Sequence, residues 1–187
     1  MIRNKPVVGI LPTYNLTNEA NDPYQDRASF VLMYEEKIVK CGGIPIGLLD
    51  KNMEDYLSLC DGYLWPGGNK IWPEFYKVIE DAINTHKPLL GICLGMQAIT
   101  TFFNVLEDKT ASKSKTFREV YEEGQKNDPY LTKVEDMTLH NHYVTKNEET
   151  INVAKHLVKI KPNTLLSSLY KEKELFVVSL HSIGVAR

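Results

Sequence analysis

Short apolar runs alternate with longer amphipathic segments through the first 105 residues of this 187-residue chain. The runs at 7–11, 44–49 and 62–65 have the length and apolar character of buried strands. Between the first two runs, apolar side chains recur at helical spacing, at Val31, Tyr34, Ile38 and Cys41. This alternation is typical of βαβ units. We therefore predict an α/β fold: a three-layer, doubly wound, mostly parallel sheet with helices on both faces.

Helix and strand limits follow from breaker residues. The first helix is expected to begin near Asp22-Pro23 and to stop at Gly42-Gly43, because glycine accepts the left-handed conformation common at helix ends. Its periodicity predicts Cys41 as core packing. A short acidic helix is predicted around Met53 to Leu59, and another helix ends before Lys87-Pro88. The apolar stripe of that third helix comprises Phe75, Val78, Ile79, Ala82 and Ile83.

The segment from 105 to 150 is different because it is polar and rich in charge. We predict irregular structure or short strands over the edge of the sheet. Its basic side chains are either solvated surface or a lid that meets an anionic substrate; they are Lys109, Lys113, Lys115 and Arg118. Regular structure is expected again at 151–160, in a short helix after Pro162-Asn163, and in a last strand at 175–180. Residues 1–187 are predicted to form a single domain.

Composition excludes some classes of function. With 22 basic against 24 acidic side chains, the chain has no bulk attraction to nucleic acid or to an anionic membrane. No apolar run approaches the roughly 20 residues that cross a bilayer, and the apolar run near the amino terminus is too short for a signal peptide. We therefore expect a cytoplasmic protein with no nucleic-acid and no membrane partner.

The three cysteines, Cys41, Cys60 and Cys93, fit neither a disulfide framework nor a zinc cluster, since they are odd in number and irregular in spacing. Cys60 precedes a predicted strand and is expected to be structural. His140 and His142 form an isolated His-x-His without further ligands at a recognised spacing. No metal and no cofactor are predicted.

Cys93 stands out because it follows the strand 89–92 and lies between Gly91 and Gly95. A sharp strand-to-helix turn of this kind is a nucleophile elbow, and glycines there avoid collisions of Cβ atoms. A helix from Leu94 onward would direct its amino terminus at the sulfur, favouring the thiolate and offering the Leu94 N–H to an oxyanion. The alternative is a buried cysteine at the end of a strand.

A second motif, Pro66-Gly67-Gly68, ends another predicted strand of the same sheet. In parallel sheets the reactive crevice lies at the carboxyl ends of the strands, so this loop and Cys93 are expected at one edge. A backbone N–H of the loop, that of Gly68, is a second candidate oxyanion donor.

These motifs, Gly91 to Gln97 with Pro66-Gly67-Gly68 and the segment Ser179 to Ile183, resemble the class I glutamine amidotransferase family. The resemblance is strongest to its γ-glutamyl hydrolase branch, peptidase family C26. It implies that Cys93 attacks a γ-glutamyl amide and forms a thioester, from which glutamate is released. It also implies oxyanion-binding N–H groups at Leu94 and Gly68.

The resemblance further implies that a set of residues holds the glutamyl group, namely Gly67, Gln97, His181, Ser182 and Ile183. For Gln97 the alternative is a polar residue on a helix face, and for His181 it is a structural histidine. The family continues with a His-Pro-Glu sequence, which this sequence does not contain. A truncated sequence, a naturally short protein and recruitment of another histidine all remain open, and we expect the first. His86 and His156 are poor replacements.

Three functions are consistent with this pattern. The first is a hydrolase of a small γ-glutamyl amide, with γ-glutamyl-CDP-amidate of capsular phosphoramidate synthesis as one substrate, since Lys109, Lys113 and Lys115 would suit a diphosphate. γ-Glutamyl-GABA would not need them. The second is a glutaminase subunit that delivers ammonia to a synthetase partner, and the third is a non-catalytic binding module. Expected partners are the γ-glutamyl substrate and either a synthetase or a second copy of the chain.

Overall fold

The computed structural model describes residues 4–15, 27–49, 51–68, 72–107, 131–134, 142–146, 149–181 and 183–185. Contacts divide the chain into two compact units, residues 1–130 and 131–187, which are described separately here. The single domain over 1–187 stays a prediction. Over the described ranges, every helix is too short or too polar to span a bilayer.

Unit 1 alternates strands and helices in chain order. Its elements are β1 (Val7–Ile10), β2 (Thr13–Asn15), β3 (Arg27–Ser29), α1 (Leu32–Lys40), β4 (Ile44–Gly47), α2 (Met53–Leu59), β5 (Gly62–Trp65), a 3₁₀ turn (Pro73–Phe75), α3 (Tyr76–Thr85), β6 (Leu89–Gly91) and α4 (Leu94–Glu107). Most limits agree with the periodicity of apolar side chains to within two residues.

Four strands form one parallel sheet in the order β4-β1-β5-β6. The chain moves from β1 to one side and then returns past it, so the order reverses between β1 and β5. Because such crossovers are right-handed, α1 lies on one face, and α2 and α3 lie on the other. The structure therefore confirms the predicted α/β, mostly parallel sheet with helices on both faces.

In the segment before α1, the structure differs from the helix that the sequence predicts. The predicted helix from Asp22-Pro23 is wrong as a continuous element, because Arg27–Ser29 is a strand that pairs antiparallel with Thr13–Asn15. Asp22-Pro23 itself lies outside the described residues. This pairing links segments over ten residues apart, and it overrides the local helical pattern.

The core lies between the sheet and the face formed by α2, α3 and α4. Trp65 of β5 packs its ring edge-on against Phe75, with centroids 5.9 Å apart. The buried side chains of this cluster are Leu11, Leu48, Met53, Leu57, Cys60, Tyr63, Trp65, Phe75, Val78, Ile79, Ala82, Leu94, Ala98 and Phe102. Cys60 is therefore a packing residue, as predicted.

Within the described part of unit 1, the opposite face of the sheet is less deeply buried. Helix α1 contains no buried residue, and an apolar cavity of about 450 Å³ lies beside it, lined in part by Tyr34, Lys37 and Leu90. Cys41, which helical spacing predicted as core, is exposed at the end of α1. That prediction is wrong because periodicity identifies the apolar side of a helix without showing how deeply that side is covered.

A polar cluster joins the amino ends of β5 and β6. The Tyr63 hydroxyl donates a short hydrogen bond to the Asp81 carboxylate of α3. The Lys87 ammonium donates to Asp81 at 2.9 Å, to the Leu57 carbonyl at 2.9 Å and to the Tyr63 oxygen at 3.3 Å. All three donors of the ammonium are used, so the charge is held without an unmatched proton.

This cluster shifts two pKa values. Burial, and next the hydrogen bond to Asp81, raise the pKa of Tyr63 far above its usual range. Burial alone would raise the pKa of Asp81, but hydrogen bonds from Tyr63 and Lys87 outweigh it, so the pKa of that carboxyl lies below its usual value. Asp81 is therefore an anion at neutral pH.

The described part of unit 2 contains short antiparallel pairs and one short helix. Its elements are β7 (Leu131–Lys133), β8 (Tyr143–Lys146), β9 (Glu149–Asn152), β10 (Lys155–Lys159), α5 (Leu165–Leu169), β11 (Glu174–Val178) and β12 (Ile183–Val185). The pairs are β8 with β9, β10 with β11, and β7 with β12. Thr164 begins α5 by exchanging hydrogen bonds with Ser167, a reciprocal cap that explains the helix after Pro162-Asn163.

Candidate active site

Cys93 occupies a turn between the end of β6 and the start of α4. Its backbone has φ 53°, the left-handed region that residues with a Cβ rarely adopt. The Ile92 N–H before it donates to the Trp65 carbonyl at 2.9 Å, which ties the turn to β5. The predicted strand, turn and helix around Cys93 are thus present, and the side chain is partly exposed.

Two glycines allow this turn to form. A side-chain carbon at Gly95 would overlap the Trp65 carbonyl oxygen and lie 2.7 Å from Trp65 Cβ. A carbon at Gly91 would lie 2.6 Å from Ile99 Cδ1 and 2.7 Å from the backbone of Gly95. Real Cβ atoms do not approach other atoms so closely, so α4 could not pack against β5 and β6 with larger residues at these positions.

The loop after β5 lies against Cys93. A carbon added at Gly67 would lie 3.2 Å from Cys93 Cβ and 3.6 Å from its Sγ. A carbon at Gly68 would lie 3.3 Å from Leu94 Cδ2. The structure therefore brings together four of the residues that sequence reasoning selected: Gly67, Gly68, Cys93 and Leu94.

Thr13, which sequence reasoning missed, also belongs to this group. Its hydroxyl donates a hydrogen bond of 3.3 Å to the Gly67 carbonyl. A carbon at Gly68 would lie 3.1 Å from Thr13 Cγ2. The available signal was its place after the first strand, since the carboxyl ends of β1 and β5 meet where the strand order reverses, and ligand crevices form there.

Gln97 lies in the first turn of α4, and its backbone N–H donates to the Cys93 carbonyl at 3.0 Å. The residue is only 4% exposed, so it is not a solvated residue on the helix face. Its proposed contact with a glutamyl group stays a prediction.

The remaining predicted site residues belong to unit 2 or lie outside the described ranges. His181 Nδ1 is 3.2 Å from the Ser179 hydroxyl, and its ring meets that of His156 edge-on. Ile183 begins β12. Ser182, His140 and the lysines at 109, 113 and 115 fall outside the described residues. Among the residues that are described, no three His, Cys, Asp or Glu side chains are grouped as metal ligands.

Two comparisons with known proteins bear on this site. A family model described as Peptidase C26 matches residues 76–187, more than half of the chain and a range that includes Cys93. A glutamine amidotransferase-like protein of Rickettsia prowazekii (strain Madrid E) is 30% identical over 128 residues. That alignment covers 55% of this chain and 45% of the relative, so the chain spans less than half of the relative's length.

Proposed function

Because the chain belongs to the peptidase C26 family, we propose that it hydrolyses an amide bond at the γ-glutamyl carbonyl of a small molecule, with Cys93 as the nucleophile. The observation that carries this proposal is the left-handed backbone of Cys93, between a strand and the start of α4. A non-glycine residue persists in such a conformation only when the surrounding structure enforces it, and residues of this kind cluster at active sites.

In the proposed reaction, the Cys93 sulfur attacks the γ-carbonyl carbon. The carbonyl oxygen becomes an oxyanion, and the N–H groups of Gly68 and Leu94 would bind it. Two observations support these donors. Leu94 is the first residue of α4, and a side-chain carbon placed on Gly67 would lie 3.6 Å from the Cys93 sulfur, so the glycine loop is close to it. A donor aimed at a developing oxyanion typically contributes about 10²–10³-fold in rate.

Collapse of this intermediate breaks the C–N bond, and the amine leaves after it takes up a proton. A water molecule then attacks the thioester, and glutamate is released. The proton carrier is not assigned to His86, because His86 lies at the carboxyl end of α3 and so precedes β6, whereas Cys93 follows β6. General acid–base help of this kind is worth about 10²–10⁴-fold in rate.

The test is glutamate release from glutamine, γ-glutamyl-GABA and γ-glutamyl-CDP-amidate by the wild type, Cys93→Ala and Cys41→Ala. Cys41 is the matched control, because it is an exposed thiol remote from the glycine loop in sequence. We expect release that Cys93→Ala abolishes and Cys41→Ala retains. Release that survives Cys93→Ala would contradict the proposal. A preference for γ-glutamyl-CDP-amidate would support a diphosphate-binding role for Lys109, Lys113 and Lys115. Turnover of neutral amides alone would argue against that role.

A second candidate is a glutaminase subunit that passes ammonia to a synthetase. It is favoured by the name of the Rickettsia relative, a glutamine amidotransferase-like protein. This function predicts turnover of glutamine that is weak in isolation and strongly stimulated by a copurifying partner. Full activity of the isolated chain on a γ-glutamyl amide other than glutamine would exclude it.

A further inference from the structure

The peptide bond between Gly67 and Gly68 has a side-chain partner. Thr13 donates its hydroxyl proton to the Gly67 carbonyl oxygen, across 54 positions of sequence. That carbonyl and the Gly68 N–H belong to one planar trans peptide, in which C=O and N–H point in opposite directions. A group that holds the carbonyl therefore also sets the direction of the N–H.

Neighbouring residues on two sides restrict the orientation of this peptide. Thr13 lies on one side, since a carbon at Gly68 would be 3.2 Å from Thr13 Oγ1. Cys93 lies on another, since a carbon at Gly67 would be 3.2 Å from Cys93 Cβ. Glycine backbones rotate more freely than those of other residues, so two consecutive glycines need an external contact to stay in one conformation.

We propose that Thr13 is a positioning residue for the γ-glutamyl reaction: its hydroxyl holds the Gly67–Gly68 peptide so that the Gly68 N–H faces the oxyanion formed at Cys93. This inference rests on the proposed function. Thr13 does not touch the reacting atoms in this role. It acts through the peptide, and its place after β1 explains why a residue so far from Cys93 in sequence affects the chemistry.

The expected effect of removing the Thr13 hydroxyl on the acylation rate follows from its hydrogen bond to the Gly67 carbonyl. Losing an oxyanion donor altogether would slow acylation by about 10²–10³-fold. Without the Thr13 hydroxyl the donor remains but loses its fixed orientation, and the 3.3 Å hydrogen bond is at the long end of the usual range. We therefore expect Thr13→Val to slow acylation by roughly tenfold, the equivalent of one ordinary hydrogen bond.

The test uses L-glutamate γ-p-nitrophenyl ester with the full chain. The Cys93 sulfur attacks the ester carbonyl, the C–O bond breaks, and p-nitrophenolate leaves with the electron pair while the thiol proton passes to buffer. Because this leaving group needs no proton, the burst of p-nitrophenolate reports acylation alone. Its rate is measured against ester concentration for the wild type, Thr13→Val, Thr13→Ser and Cys93→Ala.

We expect a burst in the wild type that Cys93→Ala lacks, a roughly tenfold slower maximal rate in Thr13→Val at unchanged half-saturation, and recovery in Thr13→Ser. A burst in Thr13→Val equal to that of the wild type would overturn the inference and leave the proposed function intact. A wild type without a Cys93-dependent burst would overturn both. Thermal unfolding checks that Thr13→Val folds, and Thr13→Ala replaces it if it does not.

Discussion

The carboxyl and amino ends of strands β5 and β6 differ in how their residues are held. At the carboxyl ends, Cys93 has a left-handed backbone and lies beside Gly67 of the glycine loop. At the amino ends, Tyr63, Asp81 and Lys87 satisfy one another's hydrogen bonds. The first end carries strain where the chemistry is proposed, and the second fixes the strands that support it. Substitutions at the amino ends should therefore lower stability without changing the chemistry, whereas substitutions at the carboxyl ends should change the chemistry or the packing of α4 that supports it.

The largest expected effect is on turnover at Cys93. Cys93→Ala and Cys93→Gly should both lose γ-glutamyl hydrolysis by about 10⁶-fold, or to background, as for other nucleophile deletions. Because φ is 53°, glycine should be more stable than alanine here by about 1 kcal/mol, the reverse of the usual order. Steady-state turnover and denaturant unfolding measure the two effects. Equal stability of both variants would contradict the claim of strain.

Gly95→Ala should produce the largest loss of stability at the carboxyl end. The added carbon overlaps the Trp65 carbonyl, so α4 must move away from β5. Overpacking of this kind costs about 1–3 kcal/mol, and here we expect about 3 kcal/mol because the neighbour is backbone. Met96→Ala, at an exposed neighbouring position, is the control and should leave the free energy of unfolding nearly unchanged. A stable Gly95→Ala would show that the close approach is not required.

At the amino end, Asp81→Asn should lower stability while leaving the chemistry at Cys93 intact. The substitution removes the charged partner of Lys87 from a cluster that is about four-fifths buried. Hydrogen bonds to charged groups contribute about 1.5–3 kcal/mol, so we expect a loss of about 2 kcal/mol. Glu80→Gln, one residue earlier and exposed, is the matched control. A tenfold change in the acylation rate would contradict the separation of the two ends.

The pH dependence of stability should reveal the same cluster with a smaller effect. Since the folded pKa of Asp81 is lowered, its contribution is complete above the unfolded pKa of about 4 and is lost as pH falls through the lower folded pKa. The pKa of Tyr63 is raised, so its contribution is complete below about pH 10 and is lost at higher pH. Tm should therefore fall as the pH decreases below about 4 and as it rises above about 10. In Asp81→Asn the decrease of Tm at low pH should be smaller than in the wild type. An unchanged decrease would contradict the assignment to Asp81.

Apolar periodicity and glycine placement were sufficient to predict much of unit 1. They gave Met53–Leu59 and Gly62–Trp65 at their observed limits, and the glycines on either side of Cys93 predicted the elbow. These features are local, because a helix stripe, a buried strand and a tight turn are each indicated by the residue types within a short stretch of sequence.

The features that sequence reasoning missed depend on contacts between distant segments. Arg27–Ser29 is a strand because it pairs with Thr13–Asn15, and Thr13 meets Gly67 across 54 positions. Periodicity also cannot show what covers a helix, which is why Cys41 was predicted to be buried and is exposed. Such outcomes depend on how elements pack rather than on any single segment.

The central claim is that Cys93 is the γ-glutamyl nucleophile, and the chain offers an internal comparison in its exposed thiol, Cys41. The measurement is peptide mapping by mass spectrometry after reaction with 6-diazo-5-oxo-L-norleucine, a glutamine analogue, and separately with iodoacetamide. We expect iodoacetamide to label Cys41, because that thiol is exposed and therefore accessible to this small reagent. The glutamine analogue should label Cys93 selectively, with protection by excess glutamine. Labelling of Cys41 in preference to Cys93 by the analogue, or no protection, would contradict the account.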